Sequence, residues 1–376
     1  MIVEQAEWNA QTGWDRPLGF RVPEPALVLV FGERSLLAGD AMQRLAHTFS
    51  DAVVVGCSTA GNIMDTAVTD ATVGATAIQF EAGSVSVSHT YLANSEDSAD
   101  AGARLARGLR SDGLKHVLVF SEGIHVNGSA LVSGLAEVLP AGTLVTGGLA
   151  ADGTKFEQTS VIRACGGEDR TVTAIGIYGK DVHIGHGCQG GWESFGPELT
   201  ITESNGNVLY SLDGQPALDR YRLLLGVRAV DLPSSGLSFP LELRAPGTPI
   251  TVVRTLLAID SDAGSVTFAG DMPEGATVRF MKASLERLLS GASNAAADVR
   301  LANGRSPDLA LLVSCVGRRQ LLGDRAHQEI EHVRAVLGEE TKLAGFYSYG
   351  EISPYVDSAE CGLHNQTMTI TTISEQ

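Results

Sequence analysis

The sequence is short of positive charge. It carries 27 Lys and Arg against 44 Asp and Glu, a net charge of −17. A protein that neutralises phosphates needs a basic patch, and no cation cluster occurs beyond Arg318-Arg319. That argues against nucleic acid, and equally against an anionic membrane surface. Cysteine is scarce as well. Cys57, Cys165, Cys188, Cys315 and Cys361 are odd in number, scattered and free of any CxxC pair. A disulfide framework or a structural zinc site is therefore not expected, and a reducing cytoplasm fits best. No apolar run approaches the roughly 18 residues that span a bilayer. The opening MIVEQAEWNAQTGWDRP has no basic segment ahead of an apolar core, so no signal peptide is expected. Low-complexity and linker segments are absent too.

What remains is a globular composition, 44% hydrophobic and 19% charged, in 376 residues. That length has room for two ordinary domains. Three stretches share one pattern: AVVVGCSTAGNI (Ala52–Ile63), TLVTGGLAADGT (Thr143–Thr154) and KLAGFYSYGEISP (Lys342–Pro354). Each is a short β-branched or apolar run that meets a glycine, with small or polar residues and a second glycine beyond. Each follows an amphipathic helix, and before that another apolar run, such as LVLVF at 27–31 or HVLVF at 116–120. The apolar runs read as strands buried on both faces. Met42, Leu45 and Phe49 share one helix face, as do Leu131, Leu135 and Val138. Thr76–Phe80 with Val85–Tyr91, and Val172–Tyr178 with Val182–His186, read as two hairpins. The repetition predicts an internal duplication, with segments 26–92 and 116–187 as copies and a third copy near the C-terminus. The glycine loops of the copies would then meet to form a site.

Further along, Ala217–Gly226 and Met281–Leu289 read as helices, and proline-rich Leu232–Pro249 as an irregular link or sheet edge. Ile250–Asp260 with Ser265–Ala269 reads as a hairpin. On Arg325–Leu337 the residues Ile330, Val333 and Leu337 face inward and the charges outward.

CVGRRQLLGD (Cys315–Asp324), GFYSYGEISPY (Gly345–Tyr355) and CGLHNQTMT (Cys361–Thr369) resemble, in that order, the FIST family of bacterial sensory domains. GCSTAGNI, GHGCQGGW (Gly185–Trp192) and LDGQPALDRYRLLLG (Leu212–Gly226) fit the same order. The resemblance implies an N-terminal arm at 1–25, a FIST N-like domain at 26–214 and a FIST C-like domain at 215–376. The fold expected is α/β, two tandem domains of mixed β-sheet with amphipathic helices. The resemblance also implies a small ligand such as an amino acid or a related metabolite. Many receptors of the family are membrane-linked or fused to an output module. This sequence shows neither, so a stand-alone cytoplasmic sensor signalling through a partner in trans is expected.

The candidate site residues follow from the same motifs. Arg318, in the family's Cys-x-Gly-Arg pattern with Cys315 and Gly317, would offer a planar fork to an anion. Tyr347, Tyr349 and Glu351 alternate onto one face, and Glu351 could pair with Arg318 or a ligand amine. His364 and Asn365 join them by resemblance. Arg318, Tyr349, Glu351 and Asn365 are expected to line one pocket for a ligand with an anionic and a cationic end. GHGCQG (Gly185–Gly190) spells G-x-G-x-x-G, but strand-like Leu199 and Ile201 follow where a dinucleotide site needs a helix. It reads as a glycine loop, and the resemblance makes it, with His186, a pocket wall. Cys57 or Ser58 could act as a nucleophile in a hydrolase or transferase, yet no base partner is identifiable, and tight packing at a strand exit is the simpler reading. Ser58 also stands as a ligand-binding candidate. His183 and His186 fall on opposite faces of a strand, and His327 and His332 off a shared helix face, so neither metal nor cofactor is expected. A third class, a protein-interaction adaptor, lacks the F-box-like N-terminal region seen in ubiquitin-ligase relatives.

Overall fold

A computed structural model of the chain describes residues 1–163, 166–299, 305–355 and 360–375; Cys165 lies outside them. Its architecture is α/β, as expected, and the repeated sequence pattern becomes three repeated units. Unit 1 runs through strand Leu27–Gly32, helix α1 (Asp40–Thr48), strand Val53–Ser58, a short hairpin Asn62–Met64/Ala67–Thr69, and strand Thr72–Gln79. Helix α2 (Ser98–Arg107) leads into unit 2, which repeats the order. Strand Leu114–Ser121 is followed by α3 (Gly128–Ala136), Leu144–Leu149, a hairpin Val161–Arg163/Gly166–Glu168, and Thr171–Tyr178. The two expected copies therefore share one element order. An insert that begins at Glu193 and ends with Lys282 contains α4 (Ala217–Leu225), and α5 (Leu285–Asp298) follows it. Unit 3 then runs through Leu309–Cys315, α6 (Val316–Leu322), α7 (Ala326–Leu337), Lys342–Ser348, a hairpin Gly350–Pro354/Cys361–His364, and Met368–Glu375.

Within each unit the first two strands are parallel and the last is antiparallel to the first. A helical crossover permits the parallel pair, and such strands are buried on both faces. Leu27, Leu29 and Phe31 alternate inward with Leu118 and Phe120 and with Leu309, Leu311 and Val313, forming one central core. At its heart Phe31 stacks on Phe346 at 4.8 Å and meets the edge of Phe120 at 5.5 Å. The alternate residues, Val28 and Val30, Val117 and Val119, Ala310 and Leu312, face outward to the helices.

The two hairpins expected at 76–91 and 172–186 do not form. Thr72–Gln79 pairs with Leu27–Gly32 on one side and with Ile2–Asn9 on the other. Ser84–Tyr91 crosses to unit 2 and pairs with Thr171–Tyr178. Val182–Gln189 crosses to unit 3 and pairs with Met368–Glu375. Alternation reveals which face a residue takes; it does not name the partner strand. The strand Ile2–Asn9 fills in unit 1 the place that Ser84–Tyr91 and Val182–Gln189 fill in units 2 and 3, each pairing over its whole length. The short hairpins cross over as well. Unit 1's pairs with Lys342–Ser348, unit 2's with Val53–Ser58, and unit 3's with Leu144–Leu149.

Gly56, Gly147 and Gly345 hold equivalent places in the second strands. A Cβ there would lie 1.8, 1.9 and 1.8 Å from the carbonyl oxygens of Val30, Val119 and Leu312. Such approaches admit glycine alone. Four residues beyond each glycine the chain hydrogen-bonds to the previous unit. Ala60 N–H donates to Tyr347 O (2.9 Å), Ala151 N–H to Ser58 O (2.9 Å) and Tyr349 N–H to Leu149 O (3.3 Å). The glycine loops thus meet in a cyclic order, as the repeated motif suggested.

The insert carries an eight-stranded sheet and its own core around Tyr221, Phe268 and Phe280. The sequence boundary at 214/215 falls inside it, at the turn before α4. Met281 lies in strand Thr277–Lys282, so the helix expected over 281–289 begins later, at Leu285 behind the capping Ser284. On α7 the expected inward residues are buried, but so are Glu329 and Arg334, which were expected to face solvent.

Candidate functional site

Arg318 was expected on a loop beside Glu351. It lies instead in α6, fully buried. Its Nε and Nη2 donate to Glu329 Oε2 at 3.2 and 2.8 Å, Nη2 to Leu288 O at 2.9 Å, and Nη1 to Gly190 O. Glu329 also accepts from Ser314 Oγ at 3.0 Å and from the Tyr347 hydroxyl at 2.6 Å. The partner of Arg318 is therefore Glu329, because α7 carries that carboxylate inward. A buried pair with this many hydrogen bonds is costly to break. It joins α6, α7 and the segments on both sides of the insert.

Glu351 is fully buried, and among the described residues no cation lies within ion-pair distance of it. It accepts from Ser348 Oγ (2.6 Å), Thr367 Oγ1 (2.9 Å) and Thr367 N–H (3.1 Å). Burial pushes its pKa up to about 7 against those bonds. Its charge in turn is felt by Cys315, whose thiol is raised chiefly by burial. Asn365 is fully buried with neither amide atom partnered among the described residues. His364 Nε2 lies 3.0 Å from Ser353 O, and burial lowers its pKa to about 4.

The remaining sequence candidates lie apart from these. Tyr349 reaches the unit 2 loop, where its hydroxyl donates to Asp152 Oδ1 and its ring stacks on Phe156 at 4.2 Å. Ser58 meets the same loop, accepting from Ser160 N–H at 2.9 Å. His186 is half-buried on Val182–Gln189, opposite Thr371. Cys57 is in the central core, its thiol raised by burial. The structure brings Glu351 and Cys315 into one interior region and carries Tyr349, Ser58 and His186 elsewhere.

Sequence reasoning missed the residue that faces a cavity. Arg254 ends the strand Thr251–Arg254 of the insert and is only 5% exposed. Its Nε donates to Asp271 O at 3.1 Å, and Nη1 to Val253 O at 3.3 Å and Leu363 O at 3.1 Å. Only carbonyls receive it. Among the described residues no carboxylate forms an ion pair with it, and Nη2 has no acceptor. Burial lowers its pKa from the ordinary value, and the Tyr355 and Asp271 charges oppose that. Arg254 lines a pocket of about 260 Å³ at the seam between the insert and the body of the molecule. The insert supplies an apolar wall including Leu243, Ile250 and Val252. The body supplies Ser129 of α3, whose buried Oγ has no partner among the described residues, and Tyr355, which directly follows the first strand of the unit 3 hairpin. Asp271 completes the rim, its Oδ1 accepting from Asn127 Nδ2 at 2.7 Å. The signal was present: TVVRTLLAID places one arginine in an otherwise apolar strand pattern.

Three repeated units around one core, with an inserted sheet and a polar pocket at its seam, define a two-part α/β protein. The FIST N domain matches residues 26–215 and the FIST C domain matches residues 217–354. The chain belongs to the FIST family, whose domains are recognised as sensory domains. It is similar to uncharacterised proteins of Mycobacterium bovis and Mycobacterium tuberculosis, 29% identical to each over 234 residues. The match covers 57% of this chain, and the chain spans about half the length of those relatives, 56%. A solved cyanuric acid hydrolase from A. caulinodans aligns over 100% of this chain and 99% of its own at 10% identity and a TM-score of 0.35. That score is too low to bear on fold or function. No described helix is long and apolar enough to cross a membrane.

Proposed function

We propose that this chain is a cytoplasmic sensory protein that binds an amino acid or related metabolite in the seam pocket and signals through a protein partner. The observation that carries the reading is the buried guanidinium of Arg254, which lines the pocket and, among the described residues, forms no ion pair with a carboxylate. An unpaired buried charge is costly, and a ligand anion relieves it. Asp271, on the same rim, offers a place for an amine. A ligand there touches the insert and the body at once, so it favours the arrangement in which both close on it. The partner would read that arrangement. A hydrolase or transferase built on Cys57 or Ser58 draws less support. Cys57 is sealed in the core with a raised thiol pKa, and the Ser58 hydroxyl already accepts a backbone hydrogen bond.

A thermal-shift screen of metabolites tests the reading, because a ligand selective for the native state raises the melting temperature. The best hit is then titrated calorimetrically. Arg254→Ala is expected to weaken it by ~1.5–3 kcal/mol, the range for a hydrogen bond to a charged group. Unchanged affinity in a folded Arg254→Ala protein would place the site elsewhere.

A further inference from the structure

We infer that the seam pocket selects short aliphatic carboxylates, with the acid group obligatory and an amine dispensable. The inference rests on the seam-pocket reading and adds the chemical class of its ligand. It comes from an asymmetry between the two charges on the rim. Arg254 is 5% exposed, and three carbonyl oxygens hold its Nε and Nη1 but neutralise nothing. Among the described residues Nη2 has no acceptor and Asp271 acts on the guanidinium only from beyond ion-pair distance, so a ligand carboxylate oxygen supplies both an acceptor and a direct ion pair. Asp271 is in a different position. It is partly exposed, and its Oδ1 already takes the Asn127 amide at 2.7 Å. Partial exposure screens its charge and the Asn127 amide already occupies Oδ1, so an incoming ammonium group gains less there than an acid group gains at Arg254.

The remaining surfaces fix the rest of the ligand. The Ser129 hydroxyl is buried without a partner among the described residues and lines the same pocket, so it is placed to donate to a second carboxylate oxygen. Leu243, Ile250 and Val252 form a hydrocarbon wall that suits an alkyl chain, while the hydroxyl-bearing Thr248 and Tyr355 stand elsewhere in the lining. The volume is about 260 Å³. At roughly 30 Å³ for each water-sized group, that is room for about nine non-hydrogen atoms. A branched acid of five carbons fits within that volume.

Four probes of one carbon skeleton separate the terms: isovalerate, valine, isoamyl alcohol and isoamylamine. Each is titrated calorimetrically into the full chain. Isovalerate and valine are expected to bind within a few-fold of each other. The alcohol and the amine should bind at least about 10-fold more weakly, the lower bound for losing a charged hydrogen bond. Arg254→Gln keeps donors for the carbonyls and removes the charge, so it should abolish the preference for the acid. Arg254→Lys, which keeps the charge, should retain it, and circular dichroism checks both folds. No measurable heat with isovalerate, equal binding of the alcohol, or undiminished isovalerate affinity in Arg254→Gln overturns the carboxylate class. Valine binding more than about 10-fold tighter than isovalerate overturns the dispensable amine. Ala245→Trp, which fills the pocket, isolates the underlying reading. Screen hits that vanish in Ala245→Trp but ignore Arg254→Gln defeat the class and leave the pocket standing. Hits that survive both variants defeat the pocket itself.

Discussion

Glu351 shows how one carboxyl can set a pH dependence. Its pKa is pushed from 4.5 to about 7 by burial, and three hydrogen bonds from Ser348 and Thr367 do not offset that. A raised folded-state pKa contributes stability that is complete below the unfolded value and lost as pH rises through the folded one. The protein should therefore lose stability from this group between pH 4.5 and about 7. His364, with its pKa lowered to about 4, acts in the opposite sense as pH falls below 6.5. The clean measurement is a difference. Glu351→Gln should raise the denaturation midpoint relative to wild type at pH 8 by the equivalent of roughly 3 kcal/mol or less. At pH 4.5 the two proteins should be nearly alike. Equal midpoints at pH 8 would mean that Glu351 ionises at an ordinary carboxylate pH. The motif around Arg318 was legible as an important place, but its chemistry was not. The sequence puts Glu329 on a helix rich in charges, and only packing reveals that this carboxylate turns inward to Arg318 and Tyr347.

At the scale of elements, most strands and helices could be read directly, because buried parallel strands are continuous apolar runs and the helices alternate with them. Val117, Val119 and their counterparts in the other units carry that signal. Partnership was illegible. Ser84–Tyr91 follows Thr72–Gln79 after a four-residue link, a spacing that suggests a hairpin, yet the two strands belong to different units. Arg254 was overlooked for a related reason, since its pocket exists only where the insert meets Tyr355 and Ser129. The three glycines were legible, and their cause is steric. Gly147→Ala would set a Cβ 1.9 Å from the Val119 carbonyl oxygen, backbone against backbone, where no rotamer change can help. A loss of more than ~4 kcal/mol in urea denaturation is expected, at the extreme of single substitutions. Gly142→Ala, with open space around its Cβ but a positive φ of 82°, should cost only about 1 kcal/mol. Equal losses for the two would refute the steric account.

For the whole molecule, the two sequence domains are tied together by exchanged strands. The second sheet is completed by Gly350–Pro354 and Cys361–His364, and the third by Asn62–Met64 and Val182–Gln189. Residues 1–215 expressed alone would keep the strands of the first sheet. They would leave Leu144–Leu149 without its hairpin partner and uncover Phe31 and Phe120, which Phe346 packs against. Such a fragment should bind a hydrophobic dye strongly and melt without a cooperative transition. A sharp two-state melt with little dye binding would show that the first two units suffice.

The exchange of strands also bears on how fast the molecule can be assembled. Gln5 Nε2 donates to Leu343 O across a separation of 338 residues, and Glu375 receives the backbone N–H groups of Glu81, Ala82 and Gly83. Few of the ladders that close the core are local. Chains dominated by distant pairings lose loop-closure entropy before they gain contact energy, and they fold slowly for their size. While unit 3 is still unfolded, the hairpins of units 1 and 2 have edges to donate and accept, and a neighbouring copy offers the same edges in the same register. The cyclic order that closes the finished core is thus, in time, a window in which two chains can complete each other.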